Sequence, residues 1–326
     1  MRICVYGAGA VGGYLGAKLG AAGAEVTLIA RGPHLAAIAA DGLRLIEDGG
    51  EVVARPRCLG EGAALGPQDY VITTWKAHSG PAAAVAMAPL LGPKSAVVPA
   101  LNGIPWWYFH GLEGPWRDHR LESVDPGARQ WREIGPGRAI GCVVHGAFES
   151  VAPGVVRSGS GARLELGEPD GAMSPRLEAL CGALGAAGIA AEAQSDIRQR
   201  LWSKLWGNLA FNPLSVLTQA TLEDIAGDEG VRAVARAMMV EGQRVAEALG
   251  VDFAIDVDER IRLAAAVGAH KTSMLQDLEQ GRRLEIDALS GAVAELGRLT
   301  GVATPTIDMV YALVVRRARE AGCYPA

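Results

Sequence analysis

The sequence predicts an α/β fold in which a doubly wound parallel sheet fills the N-terminal half and an all-helical domain follows it. Three observations lead there. The first half alternates short β-branched runs with small-residue helical stretches, the pattern of parallel strands covered by helices on both faces. Gly7-Ala8-Gly9-Ala10-Val11-Gly12 stands between the first strand-like run and the first helix-like one. From Ser195 onward the apolar residues recur at helical spacing and strand-like runs cease.

In chain order, strands are expected at Arg2 to Tyr6, Glu25 to Ile29, Tyr70 to Thr74, Ser95 to Pro99 and Ile140 to His145, with helices at Val11 to Ala22, His34 to Asp41 and Pro81 to Leu91. Two shorter strand-like pieces, Val155 to Arg157 and Arg163 to Leu166, precede a turn at Pro169-Asp170-Gly171. Ser174-Pro175 reads as an N-cap and first helical residue, opening a helix to Ala187. The second half is expected to hold helices at Asp196 to Phe211, Val231 to Leu249, Asp256 to Val267, Met274 to Gln280, Leu284 to Leu299 and Pro305 to Ala321. Pro213 disfavours helical geometry at Asn212, so the first of these should end or bend there.

A chain of 326 residues with 49% hydrophobic content is long enough for two domains and can bury a sizeable core; the division is placed as 1–194 and 195–326. Lys and Arg total 31 against 36 Asp and Glu, without a block of like charge, which argues against nucleic acid as the main partner. Apolar runs are interrupted before reaching a membrane-spanning length, and the chain opens directly into strand-like sequence rather than a secretory leader, so a cytoplasmic protein is expected. Cys4, Cys58, Cys142, Cys181 and Cys323 are scattered without a C-x-x-C, which predicts reduced thiols and no zinc site. His78, His145 and His270 show no metal-ligand spacing, and structural roles are expected for them.

The glycine motif is G-x-G-x-x-G in the strand-to-helix context of a Rossmann-type dinucleotide site. There the first glycine permits the tight turn, the second lets a pyrophosphate approach, the third allows close helix packing, and the helix N-terminus offers N–H groups. An ordinary Gly-rich turn is the plain alternative in a chain with 43 glycines. NAD sites usually place an acid at the end of the second strand, whereas this chain reads Leu28-Ile29-Ala30-Arg31-Gly32. Arg31 is suited to a 2′-phosphate and points to NADP(H); an exposed surface arginine is the alternative.

The chemistry is carried by Leu201-Trp202-Ser203-Lys204-Leu205-Trp206-Gly207-Asn208-Leu209-Ala210-Phe211-Asn212-Pro213, where Lys204, Asn208 and Asn212 recur at i, i+4 and i+8. At about 100° per residue they lie within about 80° of one helix face, beside an apolar stripe of Leu201, Leu205 and Leu209. A solvated face is the alternative, although the whole chain holds only five lysines and three asparagines. An ammonium beside carboxamides suits reduction of a ketone, because the developing alkoxide needs a proton and hydrogen-bond donors. Lys204 is the candidate general acid, with the asparagines orienting the substrate.

The amino-terminal fingerprint, Lys76, Asn102-Gly103, the Lys204 segment and Thr272-Ser273-Met274-Leu275-Gln276-Asp277 through Glu285-Ile286-Asp287 occur in an order that resembles the ketopantoate reductases, over most of the chain. The resemblance implies a Rossmann domain that binds NADP, a helical domain for substrate and dimerisation in the manner of 6-phosphogluconate dehydrogenase-like proteins, and an active site in the cleft between them. It further implies NADPH-dependent reduction of 2-dehydropantoate to (R)-pantoate in pantothenate biosynthesis by a homodimer. Carried over residue by residue, Lys204 matches the catalytic lysine and Glu285 its acidic partner near the substrate hydroxyl. Ser273 would bond the substrate carboxylate, Asn208 and Asn212 would complete the pocket, and Lys76 and Asn102 would bridge cofactor and substrate. Each has a plainer reading: Ser273 with Gln276 forms a capping box, Glu285 complements a helix dipole or pairs with Arg282 or Arg283, and Lys76 is a solvated loop residue.

The segment from Ile104-Pro105-Trp106-Trp107-Tyr108-Phe109 to Arg138 departs from the compact members and contains Trp106, Trp107, Trp116 and Trp131. Its aromatics either line a larger substrate pocket or pack a lid or dimer surface. Two rivals follow: a related NADP-dependent dehydrogenase for a bulkier 2-oxo or 2-hydroxy acid or an opine-like substrate, and a non-enzymatic NADP(H) sensor.

Overall fold

The computed structural model describes residues 1–62 and 65–325. The chain forms two compact units, one made of Met1–Leu101 with Pro105–Ile197, the other of Asn102–Ile104 with the chain from Arg198 onward.

The first unit begins with β1 (Ile3–Tyr6), α1 (Ala10–Ala21), β2 (Val26–Ile29), α2 (Gly32–Asp41), β3 (Leu43–Glu47), β4 (Gly50–Ala54), β5 (Arg57–Leu59), β6 (Gln68–Thr73), α3 (Gly80–Met87) and β7 (Leu91–Pro99). Five of these strands form a parallel sheet in the order β5-β2-β1-β6-β7. Ile3, Cys4 and Val5 are almost wholly buried, as expected for a central strand covered on both faces. Strand order reverses at β1, which pairs with β2 on one side and β6 on the other, and ligands of such sheets bind beyond the carboxyl end of that strand.

Next come α4 (Arg129–Ile134), β8 (Gly141–His145), β9 (Phe148–Ala152), β10 (Val155–Ser158), β11 (Arg163–Gly167), α5 (Pro175–Ala186) and β12 (Ala190–Ala193). They add a four-stranded sheet, β4-β3-β10-β9, and a three-stranded one, β12-β11-β8. In the former, two antiparallel hairpins are joined by a parallel β3/β10 pair. Helix α1 touches β1 and β2 of the parallel sheet and also β3, β4, β9 and β10. Tyr14, Leu15, Ala17 and Leu19 of α1 are buried accordingly. Ser174 caps α5 as expected, its hydroxyl accepting from Leu177 N at 3.2 Å.

All seven expected strands are present within a residue or two at most ends, β7 beginning four residues early. The hairpin β3–β4 and the strands β5, β9 and β12 were not anticipated. The tryptophan-rich segment contains α4 and packs inward: Trp106, Trp107, Tyr108 and Phe109 are between 0% and 5% exposed. Trp107 lies over Gly141 next to Ile197, and Trp106 meets Trp131 edge to face at 6.5 Å. These four aromatics are core, so they supply neither an open lid nor a dimer face.

The second unit is helical as expected. It comprises α6 (Ile197–Thr218), α7 (Leu222–Gly227), α8 (Glu229–Ala248), α9 (Val257–Ala265), α10 (Ser273–Glu279), a π turn (Asp287–Gly291), α11 (Ala292–Thr300) and α12 (Pro305–Glu320). Thr221, Asp228 and Asp256 accept N-cap hydrogen bonds at the starts of α7, α8 and α9. The buried Glu241 carboxylate of α8 accepts from Thr306 N and Ile307 N at 2.9 Å each, capping α12 from a neighbouring helix. The helix does not end at Pro213. Helix α6 runs on to Thr218 with the proline inside it, because Leu214, Ser215 and Val216 are buried and that packing outweighs the missing N–H donor. The expected apolar stripe holds: Leu201, Leu205 and Leu209 are buried, each worth about 2 kcal/mol in apolar burial.

Among the described residues no helix is long and apolar enough to cross a membrane, and no group of His, Cys, Asp and Glu is arranged to hold a metal ion. All five cysteines are free, and burial pushes the Cys4 thiol up to about 12.

Candidate functional site

The sequence-predicted residues fall into two sets, one in each unit. In the first, β1 delivers the chain to Gly7, whose φ of +116° is open to glycine and strained for other residues. Gly12, on the first turn of α1, faces Gly7 O and Thr74 Oγ1 so closely that a Cβ would collide with both. Thr74 Oγ1 fixes the turn by donating to Gly7 O at 2.7 Å. Gly9 differs: beyond its neighbours in the chain, nothing among the described residues lies within 4 Å of where its Cβ would stand. Packing therefore gives no reason for a glycine there, whereas close approach of a phosphate does.

The start of α1 carries no side-chain cap and no acid in its first turn, so the N–H groups around Ala8, Ala10 and Val11 are left to an external acceptor. Arg31 is exposed at the N-cap position of α2, past the end of β2, and makes no side-chain hydrogen bond or ion pair among the described residues. Burial pushes the Tyr6 hydroxyl above its usual range, and the nearby Arg31 charge opposes that shift. Lys76 is half-buried two residues past Thr74. Between them Trp75 meets Tyr6 edge to face at 5.0 Å, and its buried Nε1–H has no protein acceptor among the described residues. An open turn, an uncapped helix start, a loose arginine and an orphaned donor fit a phosphorylated dinucleotide. Thr74 and Trp75 were missed in the sequence, where the only signal was their place at the end of β6.

In the second unit, α6 presents Lys204 and Asn208 half-buried and Asn212 buried along one face. Lys204 Nζ donates to Asn102 Oδ1 at 2.9 Å, joining residues far apart in sequence. Ser215 Oγ bonds Asn212 O at 2.8 Å and Thr272 Oγ1 at 2.5 Å, which ties the stripe to the start of α10. The capping role expected of Ser273 belongs to Thr272, whose Oγ1 accepts from Leu275 N at 3.2 Å; Gln276 bonds Lys271 O instead of closing a box. Ser273 becomes the exposed first residue of α10, its hydroxyl left out of the cap.

Glu285 is buried just ahead of the π turn. Of the two arginines beside it in sequence, Arg282 Nε donates to Asp277 at 2.8 Å and Arg283 lies over the Tyr324 ring at 6.0 Å. Downstream of Glu285, Ala288 O accepts from Ile104 N at 3.0 Å, which sets Asn102 and the Glu285 segment on one backbone junction. The arrangement offers an ammonium held by a carboxamide, further carboxamides, an exposed hydroxyl and a buried carboxylate, groups able to bind a carboxylate-bearing ketone and deliver a proton. His145 bonds Glu165 at 2.8 Å between β8 and β11, a structural pair.

Comparison with known proteins adds an independent line. The family model described as ketopantoate reductase PanE/ApbA matches residues 3–106, and that described as ketopantoate reductase PanE/ApbA C terminal matches 196–318. A 2-dehydropantoate 2-reductase of Mesorhizobium japonicum is 55% identical over 325 residues, covering 99% of this chain and 100% of its own. A PanE/ApbA family ketopantoate reductase from Ralstonia eutropha JMP134 superposes with a TM-score of 0.84 at 32% identity over 98% of this chain and 99% of its own. D-mandelate dehydrogenase in a ternary structure with NADH and anilino(oxo)acetate gives a TM-score of 0.81 at 24% identity over 98% and 99%, a likeness of fold.

Proposed function

Because this chain belongs to the ketopantoate reductase family and is therefore an oxidoreductase, we propose that it reduces 2-dehydropantoate to (R)-pantoate with NADPH. The observation that carries this reading is the Lys204 ammonium held at 2.9 Å by the Asn102 carboxamide on the polar face of α6. The turn Gly7 to Gly12 binds the pyrophosphate through backbone N–H groups, and Arg31 binds the 2′-phosphate that distinguishes NADPH from NADH. Lys76 follows the carboxyl end of β6, the end of the sheet beyond which ligands of such folds bind, and this supports a role for it toward the cofactor. When bound, the nicotinamide supplies a hydride to the C2 ketone.

Lys204 supplies the matching proton to the carbonyl oxygen as negative charge develops there, and Asn102 aims the ammonium while blunting its freedom to rotate away. Asn208 and Asn212 orient the keto acid, Ser273 donates to its carboxylate, and Glu285 accepts from its hydroxyl. The buried face of α6 limits water near Lys204 and strengthens each of these interactions. A cytoplasmic location is supported by five free thiols, and self-association as a homodimer by Met309 and Leu313, exposed one turn apart on α12.

The test is oxidation of NADPH against 2-dehydropantoate and a graded panel of bulkier 2-oxo acids, with NADH as control and Lys204→Ala alongside. The proposal expects fast turnover of 2-dehydropantoate and loss of most of it in Lys204→Ala with NADPH binding intact. Turnover confined to bulkier acids would replace the substrate, and NADPH binding without any turnover would replace the function with a sensor.

A further inference from the structure

Glu285 leads into the π turn Asp287–Gly291, a local geometry that persists only where its surroundings hold it. What holds it is a cluster on α12 and the residues after it. Tyr311 and Tyr324 both donate to a single oxygen, Asp287 Oδ1, at 2.8 and 2.6 Å. Leu284 N donates to Cys323 O at 3.0 Å, and Arg283 and Arg319 lie over the Tyr324 ring at 6.0 and 5.6 Å. Burial first, then the bond to Asp287, push both tyrosine hydroxyls above their usual range, so they remain neutral donors at working pH.

The turn held in this way reaches Lys204 in two steps. Ala288 O accepts from Ile104 N at 3.0 Å. Gly103, with φ of +89°, lies so close to Ala288 O that no Cβ fits between them. The residue before it is Asn102, whose Oδ1 holds Lys204 Nζ at 2.9 Å. A shift of the π turn therefore shifts the backbone of Asn102 and the acceptor that aims the ammonium. We propose that Asp287, clamped by Tyr311 and Tyr324, is a positioning residue for Lys204, acting through Ala288, Gly103 and Asn102.

This rests on Lys204 as the general acid, and the test separates the two ideas. Asp287→Ala, Asp287→Asn and Tyr324→Phe are made in the full chain, each with and without Lys204→Ala, and assayed at saturating NADPH. Because both hydroxyls donate to one oxygen, an amide oxygen replaces it, and Asp287→Asn keeps most of the activity. Asp287→Ala lowers kcat about tenfold with KM within about twofold, and Tyr324→Phe about threefold. In the Lys204→Ala background the same changes leave the residual rate unaltered.

An equal loss with and without Lys204, or kcat of Asp287→Ala within about twofold of the parent, overturns the proposal. If Asp287→Ala does not fold, Tyr324→Phe decides, an unchanged kcat refuting the clamp. A readout that needs no turnover is the carbon resonance of Lys204 after reductive methylation with labelled formaldehyde, resolvable among only five lysines and assigned by Lys204→Ala. It moves in Asp287→Ala and stays in Asp287→Asn if the proposal holds; a resonance unmoved in both refutes it. Absence of turnover in the parent protein would instead refute the reductase reading, with the resonance still deciding the clamp.

Discussion

Replacing Asn102 by Ala removes an acceptor of the Lys204 ammonium while leaving the helix that carries the lysine untouched. The bond is 2.9 Å long, between half-buried partners, one of them charged. Hydrogen bonds to charged groups contribute about 1.5–3 kcal/mol, and every 1.4 kcal/mol is about a factor of ten. If the bond serves to hold the ammonium where the carbonyl oxygen will be, its loss is felt in the transition state more than in substrate binding. Asn102→Ala is then expected to lower kcat by about tenfold to a hundredfold, with a smaller change in KM. The assay is steady-state NADPH oxidation over a range of 2-oxo acid concentrations, with a thermal melt to verify that the variant is folded. A folded Asn102→Ala with kcat within about twofold of the parent would refute the view that this contact aims the proton donor.

On the proposed reading of Arg31 as the 2′-phosphate partner, Arg31→Ala should reduce the preference for NADPH over NADH by about a hundredfold, since a charged contact that NADH cannot make is lost; the ratio of kcat/KM values for the two cofactors measures this. Glu168 is 4% exposed and accepts from Arg176 Nε at 2.7 Å and from Arg176 Nη2 and Ser174 Oγ at 2.5 Å each. Glu168→Ala leaves the guanidinium, among the described residues, with the backbone acceptors Gly137 O and Ala139 O and should cost about 3 kcal/mol, seen as a lower urea midpoint at unchanged slope. Burial raises the Cys4 thiol from 9.0 to about 12, so the stability it contributes is complete below pH 9 and is lost as pH rises toward 12. The melting temperature should fall over that interval, and Cys4→Ala should flatten the fall.

The parallel sheet was legible because its strands are continuous apolar runs between glycine-rich turns, and β1 with its glycine motif carries both signals at once. The hairpin β3–β4 is absent from the expected strands, although its signal is present: Leu43 and Leu45 alternate with Arg44, and Asp48-Gly49 joins Glu47 to Gly50. Strand β12 was not legible, since Ala190-Ala191-Glu192-Ala193 has no strand propensity and pairs only because β11 is beside it. Pro213 misled for a related reason: a local rule about one missing N–H lost to the burial of the residues after it. In the site, the Lys204 stripe could be read from spacing alone, while its partner Asn102 depends on a contact that no periodicity encodes. The cap of α10 was missed by one residue, because Thr272 and Ser273 are chemically equivalent and only burial chooses between them.

Helix α1, enclosed between two sheets, has a consequence for the order in which the protein assembles. Rich in glycine and with little polar surface, it cannot persist as a free helix in water, so it must wait for both layers. One of those layers is built on β10, whose pairing with β3 joins Val155 to Arg44 across a long stretch of chain. Such distant pairings form slowly, and during synthesis this one cannot begin before β10 has emerged. The glycine turn at the front of α1 is thus encoded at the start of the chain and completed late, so that, with the pyrophosphate bound there as proposed, cofactor binding would report on whether the whole first unit has closed.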